Sequence, residues 1–262
     1  MKSAPLLSAL LLLGSACHAR VSSVPTRLPE AFAPVRYSNC YNGAGFFRTD
    51  KAKLTARMPT KFVPRDGSVL GPAHQGYGLV ALILLACPHA GGTDRVAIIA
   101  TPIEDPSFAS DLRAVRWNWY EFGRLVGDQA RLEQLTKYGY SVRQASLTYV
   151  PFHEGDRESS FAAGLAGRTL FQVRATVTDS VNFQAQSHRF WHQRPAGGLV
   201  STRLDFDYHH SWIGRFASCT FEASVFPEAN LVGIECSGEG VTEAIESLTY
   251  TEQVVVWNAG RH

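Results

Sequence analysis

The sequence predicts an α+β fold that is rich in strands, with a closed or sandwiched antiparallel sheet and one main helix. Two observations support this prediction. Six segments after residue 145 are rich in β-branched and aromatic residues and are separated by Gly, Pro, Asn and Asp, which is typical of strands and turns. By contrast, residues 121–138 repeat apolar residues at the helical spacing over several turns. We therefore expect many strands and one main helix around a common core.

The first half of the chain contains a short helix and a buried strand. The helix is expected over Asp50–Met58, with Thr49 or Asp50 as its N-cap and Pro59 as its stop. The segment Gly76–Cys87 is almost wholly apolar, which predicts a strand that is buried on both faces.

The main helix is expected between Glu121 and Tyr138, where apolar residues recur at spacings of about three and four. Gly139 follows as a helix C-terminal signal. The other expected strands are Arg95–Thr101, Ser146–Val150, Thr169–Thr178, Leu199–Asp207, Phe216–Phe226, Leu231–Cys236 and Ser247–Trp257.

The N-terminal residues 1–19 have the three parts of a secretory signal peptide. Lys2 supplies the positive charge, residues 6–13 form a short apolar run, and small residues follow it. Cleavage after Ala19 leaves an extended lead-in at residues 20–36 and one domain at residues 37–262. Cleavage before Cys17 leaves a cysteine that can carry a lipid. Cleavage after Ala19 predicts a secreted or periplasmic protein, and cleavage before Cys17 predicts a membrane-anchored lipoprotein.

The cysteines of an exported chain predict disulfides, because four remain after either cleavage. Cys219 and Cys236 lie on apolar segments separated by an expected turn at Pro227–Asn230, and they are the favoured pair. Cys40 and Cys87 then form the second pair. Four buried free thiols are the alternative. The spacing contains no CxxC motif, so a zinc ribbon has no support.

Composition excludes several classes of function. The chain of 262 residues carries a formal net charge of +2, which offers no electrostatic footprint for nucleic acid. Its mean hydropathy of −0.08 excludes a polytopic membrane protein, so membrane contact is expected only through a lipid on Cys17. The sequence contains no Gly-x-Ser-x-Gly, P-loop, His-Glu-x-x-His or dinucleotide motif. No cofactor is expected, and assembly into a homo-oligomer stays open.

Two groups of polar residues suggest a metal or catalytic patch without establishing one. His188 and His192 are four residues apart, but no third ligand lies beside them. Asp205, Asp207 and His209 share one face of an expected strand, where they are catalytic if the face is internal and solvated if it is external. No metal site is predicted.

Residues 40–150 contain a recognisable order of motifs. A strand ends in Arg48-Thr49-Asp50, a helix of about two turns follows, and Pro59 precedes an apolar strand. Further on, Gly123-Arg124 begins a segment that ends in Lys137-Tyr138-Gly139-Tyr140. This order resembles the acetoacetate decarboxylase superfamily. The resemblance implies that fold and, for an enzyme, carbon–carbon lyase or related enol chemistry.

Two positions depart from the superfamily's pattern. Its decarboxylases form an imine on a lysine whose pKa is lowered by a cationic neighbour and an apolar pocket. Where the superfamily has two consecutive lysines, this sequence has Thr136 and Lys137. Where the superfamily has an acid after Gly-Arg, this sequence has Leu125. Lys137 is the remaining candidate nucleophile; the alternative is a solvated lysine at a helix C-terminus.

The resemblance also implies roles for other side chains. Arg48 is expected to face an internal cavity and to bind a carboxylate or enolate through its planar guanidinium. Trp119 is a candidate for the apolar wall of that cavity.

Three further residues are candidates for the same cavity. Asp94 lies about where the superfamily keeps a cavity carboxylate, although its loop placement also suits a turn residue. Glu121 is the second candidate acid. Arg124 either binds substrate or braces Glu121 or Asp128.

Two functions stay open. The first is an exported enzyme of carbon–carbon lyase, decarboxylase or related enol chemistry that acts on a small apolar keto or carboxylate compound. The second is a non-catalytic envelope protein that binds a hydrophobic small molecule in the same cavity. Thr136 and Leu125 favour the second function over ketoacid decarboxylation.

Overall fold

The computed structural model describes residues 30–109, 114–150, 157–181, 185–207, 211–222, 227–234 and 241–257. The expected signal peptide with Cys17 and Ala19, the first part of the expected lead-in, His209 and Cys236 lie outside these residues.

Within the described residues the chain forms one large sheet and three helices. The strands are β1 (Glu30–Ala31), β2 (Val35–Thr49), β3 (Gly78–His89), β4 (Gly92–Ile103), β5 (Trp117–Val126), β6 (Val142–Gln144), β7 (Ser146–Val150), β8 (Glu158–Leu165), β9 (Arg168–Val181), β10 (Gln186–Gln193), β11 (Leu199–Asp207), β12 (Ser211–Phe221) and β13 (Val241–Trp257). The helices are α1 (Lys51–Thr55), α2 (Gln129–Tyr138) and α3 (Pro227–Val232).

Seven strands close into a barrel. Their order is β2-β3-β4-β5-β10-β11-β13, and β13 pairs back with β2, which completes the ring. Most of these pairs are antiparallel, but β5 pairs with β10 in parallel, which the expected antiparallel sheet did not include. Side chains from all seven strands meet in one apolar cluster inside the barrel. The expected β-rich fold with a closed sheet and one main helix is therefore confirmed.

A second layer covers part of the outer face of the barrel. Strands β12, β9, β8 and β7 continue the sheet from β13, and their apolar side chains pack against the outward side chains of β3, β4 and β5. Strand β3 is consequently buried on both faces from Gly78 to Cys87, as its continuous apolar sequence predicts.

The ends of the two helices before residue 140 follow from local capping. The side chain of Asp50 accepts hydrogen bonds from the backbone N–H groups of Ala52 and Lys53, which makes Asp50 the N-cap of α1. Asp128 caps α2 in the same way through the N–H of Arg131. Gly139 adopts a left-handed conformation with φ of 92° at the end of α2.

The main helix is shorter than its sequence pattern predicts. Helix α2 begins at Gln129, and residues 117–126 form strand β5 instead. One extra residue of β5, Phe122, bulges where Glu121 pairs with Ala100 and Gly123 pairs with Ile99. This bulge shifts the alternation of the strand by one, so side chains three residues apart share a face and imitate a helical period.

The expected strand Leu231–Cys236 is also wrong over its described part. Residues 227–232 form helix α3, with Pro227 at its start and Glu228 in its first turn, both of which favour a helix N-terminus. Pro227–Asn230 is therefore not a hairpin turn, and Cys219 on β12 pairs with Val173 of β9.

One expected disulfide is present. Cys40 and Cys87 lie opposite each other on β2 and β3 inside the barrel, with their Cα atoms 4.2 Å apart. Cys219 is also disulfide-bonded, and its expected partner, Cys236, lies outside the described residues. Within the part of the chain that the structure describes, no helix has the length and apolar character needed to cross a bilayer.

We expect the Cys40–Cys87 bridge to stabilise the protein by about 4 kcal/mol, because it closes a loop of 47 residues in the unfolded chain. A Cys40→Ala/Cys87→Ala variant should show a correspondingly lower urea midpoint than the oxidised wild type. Equal midpoints, or two reactive thiols at these positions in the unfolded, unreduced wild type, would contradict this expectation.

Candidate functional site

The bulge in β5 brings two charged side chains into the barrel. Residues three apart on a regular strand point to opposite faces, but the extra Phe122 places Glu121 and Arg124 on the same, inward face. Both side chains are almost completely buried. The Nε of Arg124 donates to Oε1 of Glu121 at 2.9 Å, and Nη2 donates to Oε2 at 2.6 Å. The pair is therefore bidentate.

The ion pair belongs to a larger buried network. Arg131, in the first turn of α2, donates to Oε2 of Glu252 on β13, and the Nη1 of Arg124 lies 3.9 Å from Oε1 of the same carboxylate. Asp94 on β4 lies 3.8 Å from Arg131. Burial by itself lowers the pKa of Arg124, but the carboxylates of Glu121 and Glu252 outweigh it and raise that pKa. Both arginines therefore remain charged.

Neighbouring side chains hold this network in place. The guanidinium of Arg124 lies 4.4 Å from the centre of the Tyr140 ring, and the hydroxyl of Tyr140 is hydrogen-bonded to Thr202. His192 donates from Nδ1 to the carbonyl of Glu121 and accepts at Nε2 from the N–H of Ser141. Burial lowers the pKa of His192. The imidazole is therefore held neutral with both nitrogens occupied.

Asp94 and Arg131 are incompletely paired. Burial raises the pKa of Asp94, while the charge of Arg131 opposes that rise. Oδ1 of Asp94 and Nε of Arg131 are both buried without a hydrogen-bond partner in the described chain. Each such atom costs about 1–3 kcal/mol unless a partner is supplied.

Arg48 lies near the opposite end of the barrel. It is half-buried on the inward face of β2, the face that also carries Phe46. Its Nε donates to Nδ1 of His74 at 3.0 Å, and its guanidinium carbon lies 5.0 Å from the Tyr77 ring centre. Burial lowers the pKa of His74, and the charge of Arg48 lowers it further. His74 is therefore a neutral acceptor toward Arg48.

A tight loop presents His74 and Tyr77 to Arg48. The carboxylate of Asp66 accepts from the N–H groups of Ser68 and Gly76, which closes the loop at its base. A Cβ atom on Gly67 would overlap the carbonyl of His74, so the loop requires glycine at that position.

Trp119 forms part of an aromatic wall inside the barrel. Its ring centre lies 5.9 Å from that of Phe190 and 6.3 Å from that of Phe46, which is two residues from Arg48. The indole N–H donates to Nδ1 of His188 at 3.3 Å. Burial lowers the pKa of His188 to about 3, with a further contribution from Arg116. This wall is apolar and uncharged at neutral pH.

The two polar regions are far apart along the barrel. Arg48 pairs with Leu79 on β3, and Asp94 pairs with Cys87 on the same strand. Eight residues of strand separate those partners, about 26 Å at about 3.3 Å per residue. The structure thus joins Asp94, Glu121 and Arg124 in one network through Arg131 and Glu252, and it places Arg48 far from Asp94.

Lys137 lies outside both regions. It is exposed in the last turn of α2 next to the exposed Thr136. None of the four lysines in the described residues is buried. The charged side chain that α2 places inside the barrel is Arg131. Although burial opposes it, the carboxylate of Glu252 raises the pKa of this side chain, so its guanidinium stays protonated.

No metal centre is formed by the residues that the structure describes. His188 and His192 use both ring nitrogens in hydrogen bonds. Asp205 lies on the outer side of β11, where Arg203 and Ser187 donate to it, and Asp207 is exposed.

Sequence analysis missed two members of the buried network, although each leaves a signal. Arg131 is four residues before the buried Leu135, so both lie on one face of α2. Glu252 alternates with Tyr250 and Val254 on the inward face of β13, where an acid requires a buried partner. Neither signal identifies the partner.

Comparison with known proteins supports the fold. No family model matches the sequence, and no curated protein is significantly similar to it. Among solved structures, the enduracididine biosynthesis enzyme MppR, complexed with the condensation product of pyruvate and imidazole 4-carboxaldehyde, superposes with a TM-score of 0.58 at 13% identity, covering 85% of this chain and 87% of the other.

Two further structures agree. An acetoacetate decarboxylase-like enzyme from Sphingomonas wittichii RW1 gives a TM-score of 0.52 at 14% identity, with 87% of this chain and 91% of the other covered. An acetoacetate decarboxylase gives 0.55 at 12% identity, with coverages of 86% and 87%. At these identities the comparisons establish the fold, and the fold implied by the sequence motifs is confirmed.

We expect the buried Glu121–Arg124 pair to be far more costly to break than a surface pair. Arg124→Met leaves the carboxylate of Glu121 buried without its partner and should lower the free energy of unfolding by about 3–5 kcal/mol. The matched control is Arg174→Met, which breaks the exposed Arg174–Glu158 pair and should cost less than about 1 kcal/mol. Urea unfolding measures both, and equal losses would show that the buried pair is not the stronger constraint.

Proposed function

We propose that this chain, which has the acetoacetate decarboxylase-like fold, is an exported protein that binds a small apolar compound through a carboxylate or carbonyl group at Arg48. The observation that carries the proposal is the position of Arg48, half-buried on the inward face of β2 and close to the aromatic wall of Trp119. A guanidinium recognises a carboxylate through its planar set of donors, and an aromatic wall accommodates an apolar chain.

The neighbours of Arg48 support an anionic or strongly dipolar ligand group. His74 is neutral and accepts from Nε of Arg48, so this contact orients the guanidinium without adding a charge. Tyr77 flanks the guanidinium on one side. The interior arginines of the α2 end are paired with carboxylates, Arg124 with Glu121 and Arg131 with Glu252.

Binding without imine formation fits the described residues best. An imine needs an amine whose pKa is lowered within an apolar pocket. Lys137 is exposed, and the inward-facing cation of the same helix is an arginine. Export is supported by the signal peptide pattern of residues 1–19 and is compatible with the Cys40–Cys87 disulfide.

We expect Arg48→Leu to weaken the binding of hexanoate, a probe with an apolar chain and a carboxylate, by about 30-fold, equivalent to about 2 kcal/mol. Arg48→Lys should recover part of this loss, because an ammonium keeps the charge but lacks the planar fork. Isothermal titration calorimetry measures both affinities.

Arg57→Leu is the control, because it makes the same substitution at an exposed arginine that follows α1. This variant should bind hexanoate like the wild type. The neutral analogue 1-hexanol should bind wild type and Arg48→Leu equally. The proposal is wrong if wild type shows no saturable hexanoate binding, or if Arg48→Leu binds it as tightly as wild type.

A second candidate function is carbon–carbon lyase or related enol chemistry on a small keto compound. It is favoured by the structural neighbours, one of which is an enzyme complexed with pyruvate. Its candidate acids, Asp94 and Glu121, lie in the buried network of the α2 end, where Arg131 and Arg124 are the neighbouring cations. The described residues contain no buried lysine, so this reaction would proceed either without an imine or through Lys137.

Borohydride trapping with pyruvate separates these routes. Because Lys137 is exposed and not enclosed in an apolar pocket, we expect no pyruvate-dependent mass increase in wild-type protein. A covalent adduct that Lys137→Ala abolishes would instead establish the imine route. Acetoacetate decarboxylase treated in the same way provides the positive control.

A further inference from the structure

The unpartnered atoms of Asp94 and Arg131 define a small polar gap at the α2 end of the barrel. Arg131 is 6% exposed, and its Nε has no hydrogen-bond partner among the described residues. Oδ1 of Asp94 is also buried and unpartnered, and Nε of Arg131 lies 3.8 Å from the other oxygen of Asp94, Oδ2. This separation is too long for a hydrogen bond.

The other atoms of these two groups are already positioned by the fold. Arg131 donates through Nη1 to Gln134 at 2.6 Å and through Nη2 to Glu252, so two of its three nitrogens are held by α2 and β13. Tyr37 lies beside it, with the guanidinium carbon 5.8 Å from the ring centre and its hydroxyl directed to Glu252. Rotation of Arg131 toward Asp94 would break these contacts, so the gap is a fixed feature.

The donor and acceptor roles of the two unpartnered atoms determine which kind of group can bind between them. Nε of an arginine always carries a proton and can only donate, whereas an ionised carboxylate oxygen can only accept. One atom that accepts from Arg131 and donates to Asp94 satisfies both at once. A hydroxyl oxygen has this combination, and a carbonyl or ether oxygen does not.

We propose that Asp94 and Arg131 form a hydroxyl-binding site, separate from the region of Arg48 and beyond the proposed ligand binding there. The hydroxyl has two sources: an ordered water molecule in the free protein, or the hydroxyl group of a small alcohol that replaces it. Asp94 is 14% exposed and Tyr37 is half-buried, so the gap lies close to the surface at the α2 end. Buried water characteristically satisfies polar groups of this kind.

The experiment follows the Nε–H signal of Arg131 by NMR in protein labelled with ¹⁵N-arginine. The signal is assigned by its absence in Arg131→Lys, with the exposed Arg57→Lys as the matched control. Without additive, a cross-relaxation peak at the water frequency is expected and identifies water as the source. If the hydroxyl of an alcohol replaces this water, titration with 2-propanol should shift the Nε–H signal saturably. Acetone can only accept a hydrogen bond, so its apparent affinity should be at least 10-fold weaker.

Two substitutions connect the response to Asp94. Asp94→Leu removes both acceptor oxygens at nearly constant size and should abolish the water peak or weaken the 2-propanol response at least 10-fold. Asp94→Asn keeps one acceptor oxygen and should retain part of the response, which separates loss of the site from loss of folding. The proposal is overturned if wild type shows neither a water peak nor a saturable alcohol shift, if acetone equals 2-propanol, or if Asp94→Leu responds like wild type.

Discussion

Burial of charge inside an apolar barrel is the constraint on which the rest of this structure depends. Arg124 and Arg131 lie among apolar and aromatic side chains, where an uncompensated charge costs several kcal/mol. Glu121 and Glu252 therefore have to approach them closely. Because these groups come from β5, α2 and β13, their pairing specifies the phase of β5 and the position of α2 on the barrel. The bulge at Phe122 is the local feature that makes the first pair possible.

The same constraint divides the barrel into functionally different ends. At the α2 end the cations are neutralised internally, so an incoming anion would have to displace Glu121 or Glu252 at high cost. At the other end Arg48 faces a neutral histidine and lies next to an apolar wall. The proposed ligand site uses the guanidinium of Arg48 and this wall, whereas the proposed hydroxyl-binding site lies at the α2 end.

The fold and the chemistry of the site separate clearly in this chain. Its barrel superposes on enzymes that include an acetoacetate decarboxylase, yet α2 directs Arg131 into the barrel and leaves Lys137 in solvent. An arginine cannot lose its proton under ordinary conditions, so it can bind and stabilise negative charge but cannot serve as an imine-forming amine. A shared architecture thus leaves the reaction undetermined, because activity depends on the side chains in the site.

Local sequence was sufficient for features whose cause is local. The caps Asp50 and Gly139, the doubly buried strand before Cys87 and the β-rich class all follow from interactions within a few residues or from hydrophobic pattern. The tertiary structure alone decided the bulge in β5 and the partners of the buried charges. Arg131 meets Glu252 across 121 residues of sequence, and no local pattern encodes that contact. Register and long-range charge pairing depend on which strands become neighbours, and only the closure of the whole barrel determines that.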